Sequence, residues 1–442
     1  MASTINADNG VSSGSAGLKS TADSSGVLAL QTNGTTAISI DASQAVTFAG
    51  AVSLSGNQTT TGNLTVNGNT TLGDASTDTV LMTGAPSIGG AGLGMGMGFR
   101  NRIINGAMVI DQRNAGASVT PTDGGFDVDR WRFQLSQSSK LSAQQNAGSV
   151  TPPAGFKNYL GITSLSAYSS VSTDYFWVAQ FIEGFNTADL GFGSSSASTV
   201  TVSFWVRSSL TGAFSGALVN ADSNRSYPFS YTISAANTWE QKSVSIAGDQ
   251  SGTWVGATSG NGLGVYFNLG TGSNRQGTAN AWAAADYRGG VTGSVSVVGT
   301  NGATFYITGV QLEKGSTATA FDYRPYGTEL ALCQRYYQQI GKSNNVSYQP
   351  YTTGVVTLTT VAFMLMSLPV VMRATPTFTF NGATNTFTGP SAIAATSVIS
   401  DIMSPTTIMY YINVASGLTI GNGARHYQNA ANASSLELSA EL

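Results

Sequence analysis

The chain has 442 residues and a formal net charge of −3, and only 9% of it is charged, against roughly 25% in a typical domain. That balance gives no electrostatic footing for nucleic acid or for an anionic membrane surface. A single cysteine, Cys333, excludes an internal disulfide, and a single histidine, His426, excludes a multi-histidine metal site.

The 53 glycines, set among serine, threonine and asparagine, favour strands and tight turns over helices. The fold class expected is all-β: an N-terminal fibrous stalk, a central jelly-roll β-sandwich, a short helix and a small C-terminal β domain. The divisions fall at 1–97, 98–325 and 326–442. No basic start followed by an apolar run opens the chain, and no apolar stretch reaches the ~18 residues that span a bilayer. A soluble protein made in a cytoplasm, without membrane insertion, is expected.

Residues 1–97 carry one base, Lys19, and have no Trp, no Tyr and one Phe, Phe48. They lack the large side chains that build a core. The segments 46–50, 52–56 and 64–68 share an apolar, polar, apolar, small, glycine pattern at multiples of six residues. Such repeats stack into β rods, and three chains around one axis supply the layers that one chain lacks. A disordered linker is the other reading of the same composition. The glycine-alternating stretch 89–98 has neither the helix nor the Lys-Ser/Thr of a phosphate loop, so it reads as a neck.

Residues 98–325 hold all six tryptophans. Strands are expected at 129–135, 175–181, 199–207, 227–234, 240–246, 264–269 and 304–312, separated by glycine- and proline-rich turns. In 199–207, alternation puts Val200, Val202, Phe204 and Val206 on the core face. Trp205 then points to solvent, another chain or a ligand.

Residues 321–327, Phe-Asp-Tyr-Arg-Pro-Tyr-Gly, form a stiff aromatic crossing, because Pro325 fixes its own φ and restricts Arg324. A short amphipathic helix is expected over 328–338, with Thr328 as N-cap and Cys333 as a buried thiol. Apolar runs at 354–368 and 408–414 read as strands, and 375–382 reads as a strand closing in an Asn-Gly hairpin turn. His426 reads as a turn or surface imidazole. A catalytic role for it lacks a nucleophile elbow anywhere in the chain.

Several stretches resemble bacteriophage tail fibre and receptor-binding proteins. They are 105–113 (NGAMVIDQR), 128–131 (VDRW), 309–315 (GVQLEKG) through 321–325 (FDYRP), 332–337 (LCQRYY) and 368–377 (LPVVMRATPT). The opening stretches 21–28 and 31–34 are similar to virion-proximal ends of such fibres. The resemblance implies a homotrimer attached by its N-terminus to a phage baseplate or tail protein, a head like a carbohydrate-binding module, and a bacterial surface glycan or outer-membrane protein as partner. It places the protein on the virion after assembly in the host cytoplasm. Related jelly rolls carry acidic residues in the last strand that hold a structural calcium; this chain has Thr308 and Gly309 there. Val371 stands where an acidic residue is expected. A glycan depolymerase of the tailspike type and a purely structural virion connector are the alternatives to a non-enzymatic binder.

Sugar recognition needs flat aromatics for the pyranose face, with amides or charged groups for the hydroxyls. The candidates are Trp254, Trp282, Tyr287, Tyr348 and Tyr351, with Asn224 and Arg225. Each aromatic has core or interchain packing as its other reading. Asp123, Asp127 and Asp129 read as a calcium site, as a hydrolase acid pair, or as partners of Arg113, Arg130 or Arg132 that order a loop. No other cofactor is expected. Glu313, Asp322 and Arg324 are expected to close a salt-bridged junction between the second and third parts.

Overall fold

The computed structural model describes residues 28–32, 35–41, 43–49, 51–52, 59–61, 65, 87–88, 91–92, 100–341, 350–388, 391–428 and 434–442. The chain divides into two compact units, Met1–Met82 and Thr83–Leu442.

In the first unit β1 (Leu28–Thr32), β2 (Thr35–Ile40) and β3 (Val46–Phe48) form an antiparallel meander. The Asp41 carboxylate accepts the backbone N–H groups of Ser43 and Ala45 and so closes the second turn. Val46 and Phe48 are both exposed. Of the three repeat segments, the first begins as β3, while 52–56 and 64–68 lie almost wholly outside the described residues.

The second unit opens with β4 (Ser87–Ile88), just before the expected neck, paired antiparallel with β5 (Ala91–Gly92) inside it. The sandwich then takes ten strands. They are β6 (Arg132–Leu135), β7 (Leu141–Gln145), β8 (Leu160–Ser164), β9 (Phe176–Glu183) and β10 (Val200–Ser208), then β11 (Gly212–Val219), β12 (Ser226–Ile233), β13 (Glu240–Ile246), β14 (Asn261–Asn268) and β15 (Thr304–Lys314). One antiparallel sheet runs β13-β10-β15-β8-β7 and the other β12-β11-β14-β9-β6. The chain changes sheet at most connections, the winding of a jelly roll.

Val200, Val202, Phe204 and Val206 point into the core, as their alternation requires, and Phe204 meets Phe267 and Tyr231 edge-on at 5.0 and 4.9 Å. Trp205 lies on the other face, half-buried. Every side chain of β9 is buried. Its outer face, with Trp177, Ala179 and Phe181, packs with Tyr266 beneath Leu442. β7, β8 and β11 were not foreseen.

Helix α1 (Tyr326–Gln334) starts two residues before the expected span, with Pro325 at the N-cap position and no side-chain cap. Thr328 therefore lies inside the first turn. Cys333 is buried, and burial pushes its thiol pKa up. Tyr337, expected in the helix, already belongs to a strand.

The third part contains β16 (Tyr337–Gly341), β17 (Pro350–Leu358), β18 (Val361–Ser367), β19 (Thr377–Asn381), β20 (Thr384–Thr388), β21 (Ser391–Met403), β22 (Thr407–Val414), β23 (Gly423–Gln428) and β24 (Ser435–Ser439). Six of these close a barrel in the order β17-β18-β22-β21-β20-β23, and β16-β24-β19 form a small sheet. Ile408, Tyr410, Ile412 and Val414 of β22 point inward. A barrel this narrow is filled by its own side chains. The apolar run 354–368 holds most of β17 and all of β18. The Asn381-Gly382 turn joins no hairpin: β19 pairs with β24 and β20 with β21 and β23.

His426 is a correction to the surface imidazole expected. It is fully buried in the barrel, with its ring stacked on Tyr351 at 4.5 Å. Its Nε2 lies 2.7 Å from the Thr384 hydroxyl and its Nδ1 2.7 Å from the Tyr410 hydroxyl. Thr384 donates its one proton to the Tyr427 carbonyl. Nε2–H therefore donates to Thr384, and Nδ1 accepts from Tyr410. This arrangement suits the neutral imidazole, and burial lowers the pKa to about 3.

Candidate functional site

Four of the sequence candidates come together at one end of the sandwich. Trp254 and Trp282 meet at 5.5 Å with their planes at 89°. Phe192, from the loop before β10, closes a triangle with them at 4.9 and 5.8 Å. Tyr227, at the start of β12, adds an edge contact to Trp282 at 5.3 Å. Edge-to-face contacts of this kind each add about 0.5–1.5 kcal/mol beyond buried area. Trp254 and Trp282 remain partly exposed. Their indole N–H groups donate to the carbonyls of Ser251 and Ala247, so what they offer outward is ring surface.

The loops carrying these rings are pinned by a bidentate ion pair. Arg225 Nε and Nη2 donate to the Asp249 carboxylate at 2.7 and 2.6 Å. Asp249 is almost wholly buried. Gly252 sits over this pair at φ +79°, where a Cβ would fall 2.5 Å from Arg225 Cγ. Asn220 ties in the neighbouring loop. Its carbonyl accepts the N–H groups of Asn224 and Arg225, and its amide donates to Asn224 Oδ1 and to the carbonyl of Thr253, next to Trp254. This leaves the exposed Asn224 amide N–H group and Arg225 Nη1 without a partner among the described residues. A cavity of about 90 Å³ opens beside Trp254, between Phe192, Thr187 and Val255.

The remaining candidates lie elsewhere. Tyr287 is in the same loop as Trp282, but its ring covers Gly277 and makes no ring contact with the cluster. Tyr351 is buried in the barrel, its hydroxyl bonded to Ser434 and its ring stacked on His426, so it has no free face. Tyr348 lies outside the described residues. Phe192 went unnoticed in the sequence, although it sits in a glycine- and serine-rich loop, the same signal that singled out Trp254.

The three aspartates do not converge. Asp123 is exposed and accepts the Leu135 N–H and the Tyr175 hydroxyl. Residues 127–130 form a turn rather than a strand, so alternation does not align Asp127 with Asp129. Asp127 accepts a hydrogen bond from the Asn114 amide. Burial first, then Asp111, raises its pKa to about 7. Asp129 is raised to about 6 by burial, against the pull of Arg113 at 3.1 Å. Among the described residues no three His, Cys, Asp or Glu side chains come together as a metal group. Thr308, in the last strand, donates its hydroxyl to the Asn158 carbonyl.

Asp129 belongs instead to the seam between sandwich and barrel. Arg113 bridges Asp129 and Glu441. Arg130 pairs with Glu441 and lies 3.4 Å above the Tyr336 ring. Arg335 grips Glu183 bidentately at 2.7 and 2.8 Å. Arg373 donates to the carbonyls of Ala440, Glu441 and Ser259. Of the three junction residues expected, Arg324 is ion-paired, but with Glu329. Glu313 takes neutral donors from Gln311 and Thr319, and Asp322 accepts the Asn101 N–H. Glu313 is satisfied by its own turn and Asp322 by the Asn101 backbone, while Arg324 reaches the helix.

One further surface stands out. On the barrel's outer wall Val355, Phe363, Tyr411 and Ile399 lie in register across β17, β18, β22 and β21. Phe363, Tyr411 and Ile399, with Leu358 and Val361, line an open groove with no charged residue in its lining. Leu358 and Ile399 are exposed at 56% and 51%.

No protein-family model matches the sequence, and no curated protein does. Solved structures are similar over about half the chain. The enzymatically active domain of tailspike protein 4 from bacteriophage CBA120 is 11% identical, covers 49% of this chain and 21% of its own, and has a TM-score of 0.27. A family 11 carbohydrate-binding module from Clostridium thermocellum, in complex with a mixed-linked tetrasaccharide, is 12% identical, covers 45% and 97%, and has a TM-score of 0.24. Identities this low say nothing of what the chain binds.

Proposed function

We propose that the chain is a non-enzymatic bacteriophage tail fibre that recognises a bacterial surface glycan through its sandwich head. The observation that carries this reading is the Phe192–Trp254–Trp282 triangle. It is a rigid, partly exposed aromatic surface with uncommitted amide and guanidinium donors beside it. Ring faces take the apolar side of a sugar, and the adjacent donors take its hydroxyls. The order of motifs along the sequence supports the fibre reading. The apolar groove on the outer wall of the barrel suits contact between like chains in a homotrimer, since a groove of this kind marks an interaction surface. Three weak sites on one particle then act together.

The test is binding of the purified chain to an array of bacterial surface polysaccharides and to whole bacteria. Trp254→Ala and Trp282→Ala each lower glycan binding about tenfold or more, ~1.4 kcal/mol, while far-ultraviolet circular dichroism stays unchanged. Folded variants that bind as the parent does refute the site. A chain that binds neither glycan nor cells is a structural connector.

A further inference from the structure

A second cavity, of about 250 Å³, lies where the aromatic crossing 321–326 passes the end of the sandwich. Its wall is aromatic. Phe156, Phe321 and Tyr323 form a closed set with centroids 5.2, 5.5 and 4.8 Å apart. The Tyr323 ring is held in place by its hydroxyl, which donates to the Gly155 carbonyl at 2.8 Å, and it remains 55% exposed. A bulge in β15 makes room for this wall. Opposite Ser203 and Trp205 the register slips, with Gly309 at φ +61°. A Cβ there would lie 2.6 Å from the Phe156 ring.

The cavity's polar groups are few. Arg324 and Glu329 pair at 3.2 Å and are also bound by the backbone: Arg324 donates to the Ile103 carbonyl, and Glu329 accepts the Asn105 N–H. Their charges cancel locally. The exposed Lys157 lines the same cavity and has no ion pair among the described residues. The site therefore combines an apolar aromatic face, a neutral hydrogen-bonding pair and one unbalanced cation.

We propose that this cavity is a separate binding site for a single acidic sugar ring, a uronic acid unit of a surface polysaccharide. The ring's apolar face lies on Tyr323 and Phe321, and its carboxylate meets Lys157. The volume admits one ring rather than a chain of them. The assignment stands apart from the Trp254 surface and does not rest on it.

The full chain is tested with D-glucuronic acid and, in parallel, D-glucose by saturation-transfer NMR and chemical-shift titration. Glucuronate binds with a Kd on the order of millimolar, at least tenfold more tightly than glucose. Lys157→Ala, a change to an exposed side chain, removes that preference. Tyr323→Ala abolishes the glucuronate-induced shifts of the cavity-lining Ala107 and Val109. Equal binding of the two sugars, a preference that survives Lys157→Ala, or no transfer to glucuronate at ~10 mM overturns the assignment. Glucuronate-induced shifts confined to the Trp254 and Trp282 indole N–H groups move the ligand to the other site and overturn it as well.

Discussion

The buried histidine of the barrel makes stability depend on pH in a direction that can be worked out. The folded pKa of His426 is lowered to about 3 by burial, while an unfolded histidine titrates near 6.5. The unfolded state therefore binds the proton first as pH falls. The contribution is fully present above about pH 6.5 and is lost progressively down to about pH 3. At pH 5 the loss is about 2 kcal/mol, from roughly 1.5 pH units at ~1.4 kcal/mol each. Asp127 and Asp129 act in the opposite sense. Their folded pKa values are raised to about 7 and about 6, so their contributions improve as pH falls and together outweigh the histidine's loss between pH 7 and pH 5. The comparison is thus between the parent and His426→Gln, which keeps hydrogen-bonding capacity and does not titrate. Urea unfolding at pH 7 and pH 5 should show the parent losing about 2 kcal/mol more than the variant between the two. Because the chain has one histidine, its imidazole proton resonance reads the folded pKa directly. A native-state midpoint near 6.5, or a flat difference between parent and variant, refutes the reasoning.

Two further outcomes follow from charge placement. Asp249→Asn leaves Arg225 without its bidentate partner and should cost ~2–3 kcal/mol in urea unfolding, with a shift in tryptophan emission as Trp254 loosens; an unchanged midpoint means the pair is not the strut beneath the aromatic triangle. Light scattering of the full chain should give three times the chain mass, and Leu358→Asp with Ile399→Asp should lower it; a mass unaffected by two buried charges removes the outer wall from the interface.

Long alternating segments were legible. β10 and β15 declared themselves because branched and aromatic residues recur at alternate positions, Val200, Val202, Phe204 and Val206 in one and Phe305 and Ile307 in the other. β11, with the sequence GAFSGALV, did not, because its small residues follow from a neighbour: a Cβ on Gly216 would meet Phe229 at 2.5 Å. The run 354–368 showed no break because its turn, Thr359-Thr360, has no Gly, Pro, Asn or Asp to mark it. Trp254 and Trp282 were found from their loop context, while the triangle they form with Phe192 joins loops far apart in the sequence and leaves no local trace. The seam was illegible for the same reason. Arg113 meets Glu441, and Arg335 meets Glu183, across separations that no spacing rule covers. His426 was misplaced because Tyr427 beside it is also buried, which obscures the alternation of β23.

The scarcity of charge has a structural logic. Arg113, Arg130, Arg324, Arg335 and Arg373 all work inside the second unit, holding its termini and strand ends together. Each pairs with a carboxylate or a carbonyl that solvent barely reaches, where an ion pair is screened least by salt. The outer surfaces carry few charges, among them Arg100, Asp123, Lys157 and Asp222. A neutral surface gains little from long-range steering, so affinity at the aromatic triangle has to come from short-range contact and from several copies engaging at once. The unpaired Lys157 departs from that pattern, which is why it, rather than a member of the arginine seam, marks the site where a charged ligand is expected.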